Sequence, residues 1–141
     1  MDVLFLIGRV LFALIFIFSG IAVHLVGRKQ GVEYARSYGS PLPEIGVPLT
    51  GMMAIAGAVM IALGLWADLG ALLIVAFLLL ITPIMHAFWR ETEEQMRQTQ
   101  TVMFMKNIAM LGGALVILYA YNQLQGEAAL SLTDPLFGRA E

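Results

Sequence analysis

The chain has 141 residues, of which 60% are hydrophobic and 13% are charged, and its formal net charge is −2 at pH 7. Soluble domains are about half apolar and about one quarter charged, so this composition is typical of a membrane protein. The net charge indicates no basic surface, and nucleic acid is therefore not an expected partner. Because the sequence has no cysteine, it excludes a dithiol relay and a disulfide framework, and any redox chemistry would need a cofactor.

The apolar residues fall into four blocks, each close to the roughly 20 residues that cross about 30 Å of hydrocarbon as an α-helix. The first block is longer than the apolar core of a signal peptide and has no basic segment ahead of it, so we predict a transmembrane helix. The predicted fold class is an all-α membrane protein, a four-transmembrane-helix bundle formed by a single domain over residues 1–141. The predicted helices span about residues 3–26, 48–66, 69–89 and 102–121.

The three connections between these helices differ in length and polarity. The first, GRKQGVEYARSYGSPLPEIGVP, contains a helix-capable piece from Lys29 to Tyr38, which is closed by Gly39 and a Ser-Pro-Leu-Pro turn. We predict that this piece is a short interfacial segment, with an ordered loop as the alternative. The second connection is only AD, a tight hairpin. The third, RETEEQMRQTQT, has no glycine or proline and is able to extend a neighbouring helix beyond the membrane.

Basic residues near the ends of the spans predict the orientation, because cytoplasmic loops carry an excess of lysine and arginine. The opposite side has Arg139 in the tail, and also Arg9 if its side chain extends outward. We therefore expect both long loops in the cytoplasm and both termini outside. The basic residues of the first and third loops are Arg28, Lys29, Arg36, Arg90 and Arg97.

Polar residues inside membrane spans usually face protein or water, so they indicate where a site lies. The ends of the first and third predicted helices lie on the same side as the starts of the second and fourth. We predict that His86, Lys106 and Asn107 form one hydrogen-bonded group on that side. The candidate ligand-binding residues of this side are His24, Glu44, His86, Trp89, Lys106 and Asn107.

Arg9 lies about 22 Å of helix rise from His24, so the two residues do not share a contact site. It lies on the side of Asp68 instead, and we predict a structural ion pair between them. The sequence contains no strong catalytic motif, and we predict neither a catalytic residue nor a metal site. Some candidates also have an ordinary explanation, because Trp89 and Lys106 lie near span ends and can reach the headgroups without forming a site.

Five stretches, taken in order, resemble the DoxX family of small four-helix membrane proteins: GRVLFALIFIFSGIAVHL, YARSYGSPLP, GLWADLGALLI, MHAFW and FMKNIAMLGGAL. The resemblance covers nearly the whole chain. The family is related to DoxD, the membrane subunit of a thiosulfate:quinone oxidoreductase, which implies a quinone-linked redox role in a bacterial inner membrane. Many DoxX-like sequences carry an acidic residue early in the second helix. This chain has Met53 there, so the resemblance supplies no acidic partner for Lys106.

Three hypotheses follow for the function. The first is an accessory membrane protein, without catalytic activity of its own, that holds a quinone or a lipid-like ligand at the polar side of the bundle. The second is a non-enzymatic structural or interaction protein of a larger complex. The third is a b-haem protein with His24 and His86 as axial ligands; two histidines on two helices are not a haem motif, and we do not expect haem. Because four short helices bury little protein surface, we expect a homo-oligomer or a larger membrane complex in the lipid bilayer.

Overall fold

The computed structural model describes residues 2–124 and 130–137. Arg139, the basic tail residue named in the prediction of the orientation, lies outside the described residues. Four helical spans are long and apolar enough to cross a membrane, which confirms the predicted all-α, four-transmembrane-helix fold class. The elements are α1 (Asp2–Ser19), a π-helix (Gly20–Val26) that continues it, α2 (Arg28–Ser37), α3 (Pro43–Leu63), α4 (Ala67–Met85), a 3₁₀ helix (Phe88–Arg90) and α5 (Glu94–Leu124). The four membrane spans are formed by α1 with its π-helical continuation, α3, α4 with the 3₁₀ helix, and α5.

The second membrane helix, α3, begins at Pro43, whereas the sequence predicted a start near Pro48. Pro43 suits the first helical turn, because the N–H that it lacks would have no helical partner there. Pro48 lies inside α3 and offers no N–H to the carbonyl of Glu44, four residues earlier. The side chain of Arg28 donates to that carbonyl at 3.2 Å, so the interior proline leaves no unpaired acceptor.

The third and fourth membrane helices also differ from the predicted ranges. The α4 helix ends at Met85, and the chain continues into the 3₁₀ helix that carries Trp89. The α5 helix begins at Glu94 instead of near residue 102, and its 31 residues exceed the length of a membrane span. The third loop therefore extends the fourth helix, since nothing in that stretch interrupts a helical backbone.

The central helix of the bundle is α3, which packs against α1 and α4, and α5 packs against α4. A close approach between α3 and α4 occurs at Gly57 and Gly70. A Cβ atom on Gly57 would lie 2.8 Å from the carbonyl oxygen of Gly70, and one on Gly70 would lie 2.8 Å from that of Gly57. Small residues at a helix interface allow two backbones to approach this closely.

The helix-capable piece of the first loop forms α2 and not an ordered loop. This short helix packs against α3 and against the π-helix. Its contact face is made by Gly31 and Ala35, which are buried, while Arg28 and Lys29 at its start are exposed. The α2 helix thus lies over one end of the bundle with an apolar side inward, as an amphipathic segment does.

The segment 130–137 lies against the opposite end of the bundle, where α1 begins and α3 ends. The backbone N–H groups of Leu132 and Thr133 both donate to the carbonyl of Gly64 at 3.1 Å. In return, the backbone N–H of Trp66 donates to the hydroxyl of Thr133 at 2.8 Å. These bonds attach the C-terminal segment to the short turn between α3 and α4.

The predicted ion pair between Arg9 and Asp68 is wrong, although both side chains are buried at this end of the bundle. Arg9 donates to the hydroxyl of Tyr121 and, at 2.7 Å, to that of Ser131. Asp68 instead accepts the backbone N–H of Phe137 at 2.6 Å. The C-terminal segment thus provides partners for both charges, and the sequence pattern did not place that segment.

Candidate ligand-binding cavity

A cavity of about 780 Å³ lies at the end of the bundle that carries the first and third loops. Its walls come from the π-helix, α2, the start of α3 and the end of α4. Ligand pockets usually enclose about 300–1,000 Å³ and combine an apolar wall with a few polar groups. This cavity fits that description, because its wall is mainly aliphatic. Its polar side chains are His24, Gln30, Tyr34, Ser40, Thr50 and His86.

His24 reaches the cavity from the π-helix, in which the backbone is wound more widely than in an α-helix; such segments are frequent at functional sites. Its Nδ1 atom lies 2.6 Å from the carbonyl oxygen of Val47. A carbonyl oxygen can only accept, so Nδ1 carries the hydrogen, and Nε2 of the neutral ring is an acceptor. Gly51 makes this position possible, because a Cβ there would collide with the His24 side chain.

His86 lies at the end of α4 and takes part in a polar network with α2 and α5. Its Nδ1 atom is 2.9 Å from Oε1 of Gln100, a residue that is only 4% exposed. The Nε2 group of Gln100 donates to the hydroxyl oxygens of Tyr34 at 2.9 Å and of Tyr38 at 2.8 Å. Tyr38 in turn donates to Oε1 of Glu91 at 2.8 Å. The network therefore connects the cavity wall to a carboxylate beyond the end of α4.

Burial raises the pKa of Tyr38 well above its usual value, and the hydrogen bond to Glu91 raises it further. The phenol therefore keeps its proton at physiological pH and remains a donor to the carboxylate. The neighbouring ring of Tyr34 packs against it, with ring centroids 4.7 Å apart. The two tyrosines, one in the last turns of α2 and one directly after its end, together attach this helix to Gln100 of α5.

The predicted hydrogen-bonded group of His86, Lys106 and Asn107 is wrong. Lys106 is exposed, and its Nζ atom contacts the Met103 sulfur at 3.3 Å. Asn107 is buried and donates to the hydroxyl of Thr82 at 3.1 Å. The reason is the early start of α5, which brings Gln100, and not Lys106, to the level of His86.

Two further candidates lie outside the cavity wall. Trp89 is exposed and packs edge-to-face against Phe88 and Phe104, with ring centroids 5.1 Å and 5.8 Å away. Glu44 forms an exposed ion pair with Arg36 of α2. Of the six predicted site residues, the cavity brings together only the two histidines, His24 and His86.

Sequence reasoning missed Gln100, Tyr34 and Tyr38 as site residues. Tyr34 and Tyr38 lie in the piece of the first loop that the sequence predicts as an interfacial segment, so neither was a candidate site residue. Gln100 lies in the third connection, which the sequence allows to extend a neighbouring helix but which supplied no candidate site residue. A helix that begins at Glu94 places Gln100 on the same face as Asn107, seven residues later. Among residues 2–124 and 130–137, no three His, Asp or Glu side chains come together as a metal site would require.

A bundle of four membrane-length helices with a cavity of ligand size at one end defines a small integral membrane protein. The chain belongs to the DoxX family, whose sequence model matches residues 4–87. It is 29% identical over 130 residues to the inner membrane protein YphA of Escherichia coli (strain K12), an alignment that covers 92% of this chain and 88% of YphA. No solved structure matches the chain. The family resemblance noted in the sequence is thus confirmed.

Proposed function

We propose that the protein is an accessory membrane subunit that binds a quinone or another lipid-like ligand in the 780 Å³ cavity. The observation that carries this proposal is an apolar wall interrupted by one free hydroxyl donor and two imidazole acceptors. The Tyr34 oxygen accepts from Gln100, so its own O–H is available to a ligand. A flat, apolar ligand with polar ring substituents fits this arrangement, and its tail would extend toward the lipid.

The route into the cavity also suits a ligand that arrives from the bilayer. Leu80 and Val26, which line the cavity, are exposed on the outside of the bundle. Apolar side chains in such positions face lipid in a membrane protein. A ligand dissolved in the bilayer would therefore reach the cavity sideways, without crossing a polar loop.

Replacement of Tyr34 by phenylalanine is expected to weaken ligand binding, because it removes the free donor and leaves the ring in place. One hydrogen bond corresponds to a roughly two- to tenfold higher dissociation constant. Ubiquinone-2 titrated into protein in lipid nanodiscs, followed by calorimetry, provides the measurement. Lys106→Met is the matched control; it lies outside the cavity wall and should bind as the unchanged protein does.

A second pair of variants tests the place of binding. Leu80 lines the large cavity, whereas Leu79, the neighbouring residue and equally exposed, does not. Leu80→Trp should hinder binding and Leu79→Trp should not. If ubiquinone-2 does not bind, and solvent extraction of the purified protein yields no quinone or tightly held lipid, the structural or interaction role replaces this proposal. A Soret absorption band that is lost in His24→Ala would instead support the haem alternative.

We propose further that the protein lies in a bacterial inner membrane, as the name of YphA states for that relative, with the cavity on the cytoplasmic side. The basic residues of the first and third loops support this orientation. The proposal includes self-association or membership of a larger complex. Native mass spectrometry from nanodiscs would detect either assembly, and a monomer alone would contradict it.

Cysteine labelling tests the orientation without background, because the chain has no native cysteine. In intact cells, a membrane-impermeant maleimide is expected to label Asp134→Cys and to leave Gln98→Cys unlabelled. Both positions are exposed, and they lie at opposite ends of the bundle. Lysed cells serve as the control, since both variants should then react. Labelling of Gln98→Cys in intact cells would place the cavity on the outer side.

A further inference from the structure

A chain of hydrogen bonds with a fixed direction leads from Glu91 to the cavity wall. An ionised carboxylate only accepts hydrogen bonds, so the Tyr38 O–H must point toward Glu91 across their 2.8 Å contact. The Tyr38 oxygen then receives its own hydrogen bond from Gln100, at 2.8 Å. Only the amide nitrogen of Gln100 can supply that hydrogen, so Glu91 determines which way the amide is turned.

The amide orientation determines the hydrogen position on His86. With Nε2 of Gln100 donating one hydrogen to Tyr34 and the other to Tyr38, the remaining amide atom, Oε1, faces the imidazole at 2.9 Å. An amide oxygen accepts, so Nδ1 of His86 carries the hydrogen. In the neutral ring Nε2 is then a bare acceptor. It has no hydrogen-bond partner within the part of the chain that the structure describes.

The opposite direction of these hydrogen bonds is excluded by the contact between Tyr38 and Glu91. If Gln100 turned its oxygen toward the tyrosines, both phenols would donate to it. The Tyr38 oxygen would then face the Glu91 carboxylate at 2.8 Å with no hydrogen between them. Two lone pairs at that distance repel, and the half-buried Glu91 carboxylate would lose its hydrogen-bond donor. Only one direction of the network pairs each of its groups.

We infer that Glu91, acting through Tyr38 and Gln100, fixes His86 as a hydrogen-bond acceptor. Among quinone-like apolar ligands, the cavity therefore binds those with a hydroxyl donor, such as a quinol, more tightly than a quinone, which has only acceptor oxygens and depends on the Tyr34 hydroxyl alone. His24 contributes a second acceptor, because Val47 fixes its Nδ1–H independently. The part of the inference that concerns selection rests on the proposed ligand binding. The part that concerns the hydrogen on His86 does not. Tyr38, Gln100 and Glu91 are positioning residues, since none of them lines the cavity.

Nitrogen-15 NMR of selectively labelled histidine tests the hydrogen position directly, because the chain contains only two histidines. At pH 8, both rings are expected to show a protonated Nδ1 and an unprotonated Nε2. In Tyr38→Phe, the amide of Gln100 is free to turn, and the His86 signals should move toward the Nε2–H tautomer. The His24 signals should stay unchanged as an internal control. Tyr119→Phe, an exposed tyrosine on α5, should alter neither ring.

A wild-type His86 with a protonated Nε2, or a His86 spectrum that does not change in Tyr38→Phe, would overturn the assigned direction. Selection is tested separately with 4-octylphenol, which donates a hydrogen bond, and 4-octylanisole, which only accepts. The phenol is expected to bind roughly fivefold more tightly, and Tyr38→Phe should reduce that ratio. Equal binding of the two probes would overturn the selection. Binding of neither would contradict the ligand-binding proposal, while the NMR result would still decide the hydrogen position.

Discussion

Arg9→Met is expected to destabilise the bundle by about 3 kcal/mol or more, because hydrogen bonds to a buried charged group contribute roughly 1.5–3 kcal/mol each. Arg9 is only 2% exposed. It donates to the hydroxyls of Tyr121 and Ser131 and to the carbonyl of Leu130. Methionine fills much of the same space but removes the donor to these three oxygens, and only the Tyr121 and Ser131 hydroxyls retain a contact, with each other at 3.0 Å. The free energy of unfolding in detergent, titrated with SDS, provides the measurement.

The same substitution is expected to loosen the C-terminal segment. Hydrogen exchange of the Leu132 and Thr133 amides, which donate to Gly64, should become faster in Arg9→Met. Arg97→Met is the matched control, because Arg97 forms only an exposed ion pair with a residue of its own helix. Such pairs contribute about 0–1 kcal/mol. Equal stability of the two variants, with unchanged exchange in the segment, would show that Arg9 does not hold it in place.

The four membrane spans could be predicted because the length of an apolar run is a local property of the sequence. The residues at which the helices begin and end were harder to predict. Pro48 has the features of a helix start, and only the packed structure shows that Pro43 takes that position and that a side chain pairs the carbonyl left free by Pro48. Likewise, a polar stretch without glycine or proline is compatible with both a loop and a helix. Whether the fourth membrane helix begins as early as Glu94 depends on contacts with residues that are distant in the sequence.

Two residues of the candidate site could be predicted, because helix direction alone places His24 and His86 at the same end of the bundle. Which side of each helix faces the cavity was less predictable. Lys106 and Asn107 are neighbours, and successive residues point about 100° apart on a helix, so one is exposed and the other buried. The wider winding of the π-helix adds a further rotation before His24, and the apolar pattern of the first block does not signal it.

The partner of Arg9 was mispredicted for a related reason. Depth in the membrane placed Asp68 at the correct level, but depth does not fix a contact. The C-terminal segment contains few apolar residues in a regular pattern, so nothing in the sequence placed it against the turn at Gly64. Its backbone and hydroxyl groups give each buried charged side chain a partner, while Nε of Arg9 and Oδ1 of Asp68 have none among the described residues.

Gly70→Ala is expected to destabilise the protein by about 1–3 kcal/mol, the usual cost of an added methyl group in a closely packed core. The new Cβ would lie 2.8 Å from the Gly57 carbonyl oxygen and 2.8 Å from the Met60 Cβ, and real Cβ atoms essentially never come that close. These are a backbone atom and the first atom of a side chain. Neither can rotate away, so α3 and α4 must separate and lose packing on both sides of the contact.

Gly112→Ala provides the matched control on α5, where a Cβ would meet no atom within 4 Å. Both substitutions remove a glycine from a helix interior, which by itself stabilises a helix by about 0.5–1 kcal/mol. The difference between the two variants therefore isolates the cost of the contact between α3 and α4. SDS titration should show Gly112→Ala at least as stable as the unchanged protein and Gly70→Ala clearly less stable. Because the contact is mutual, Gly57→Ala should behave like Gly70→Ala, and a neutral result for both would mean that the two helices pack further apart.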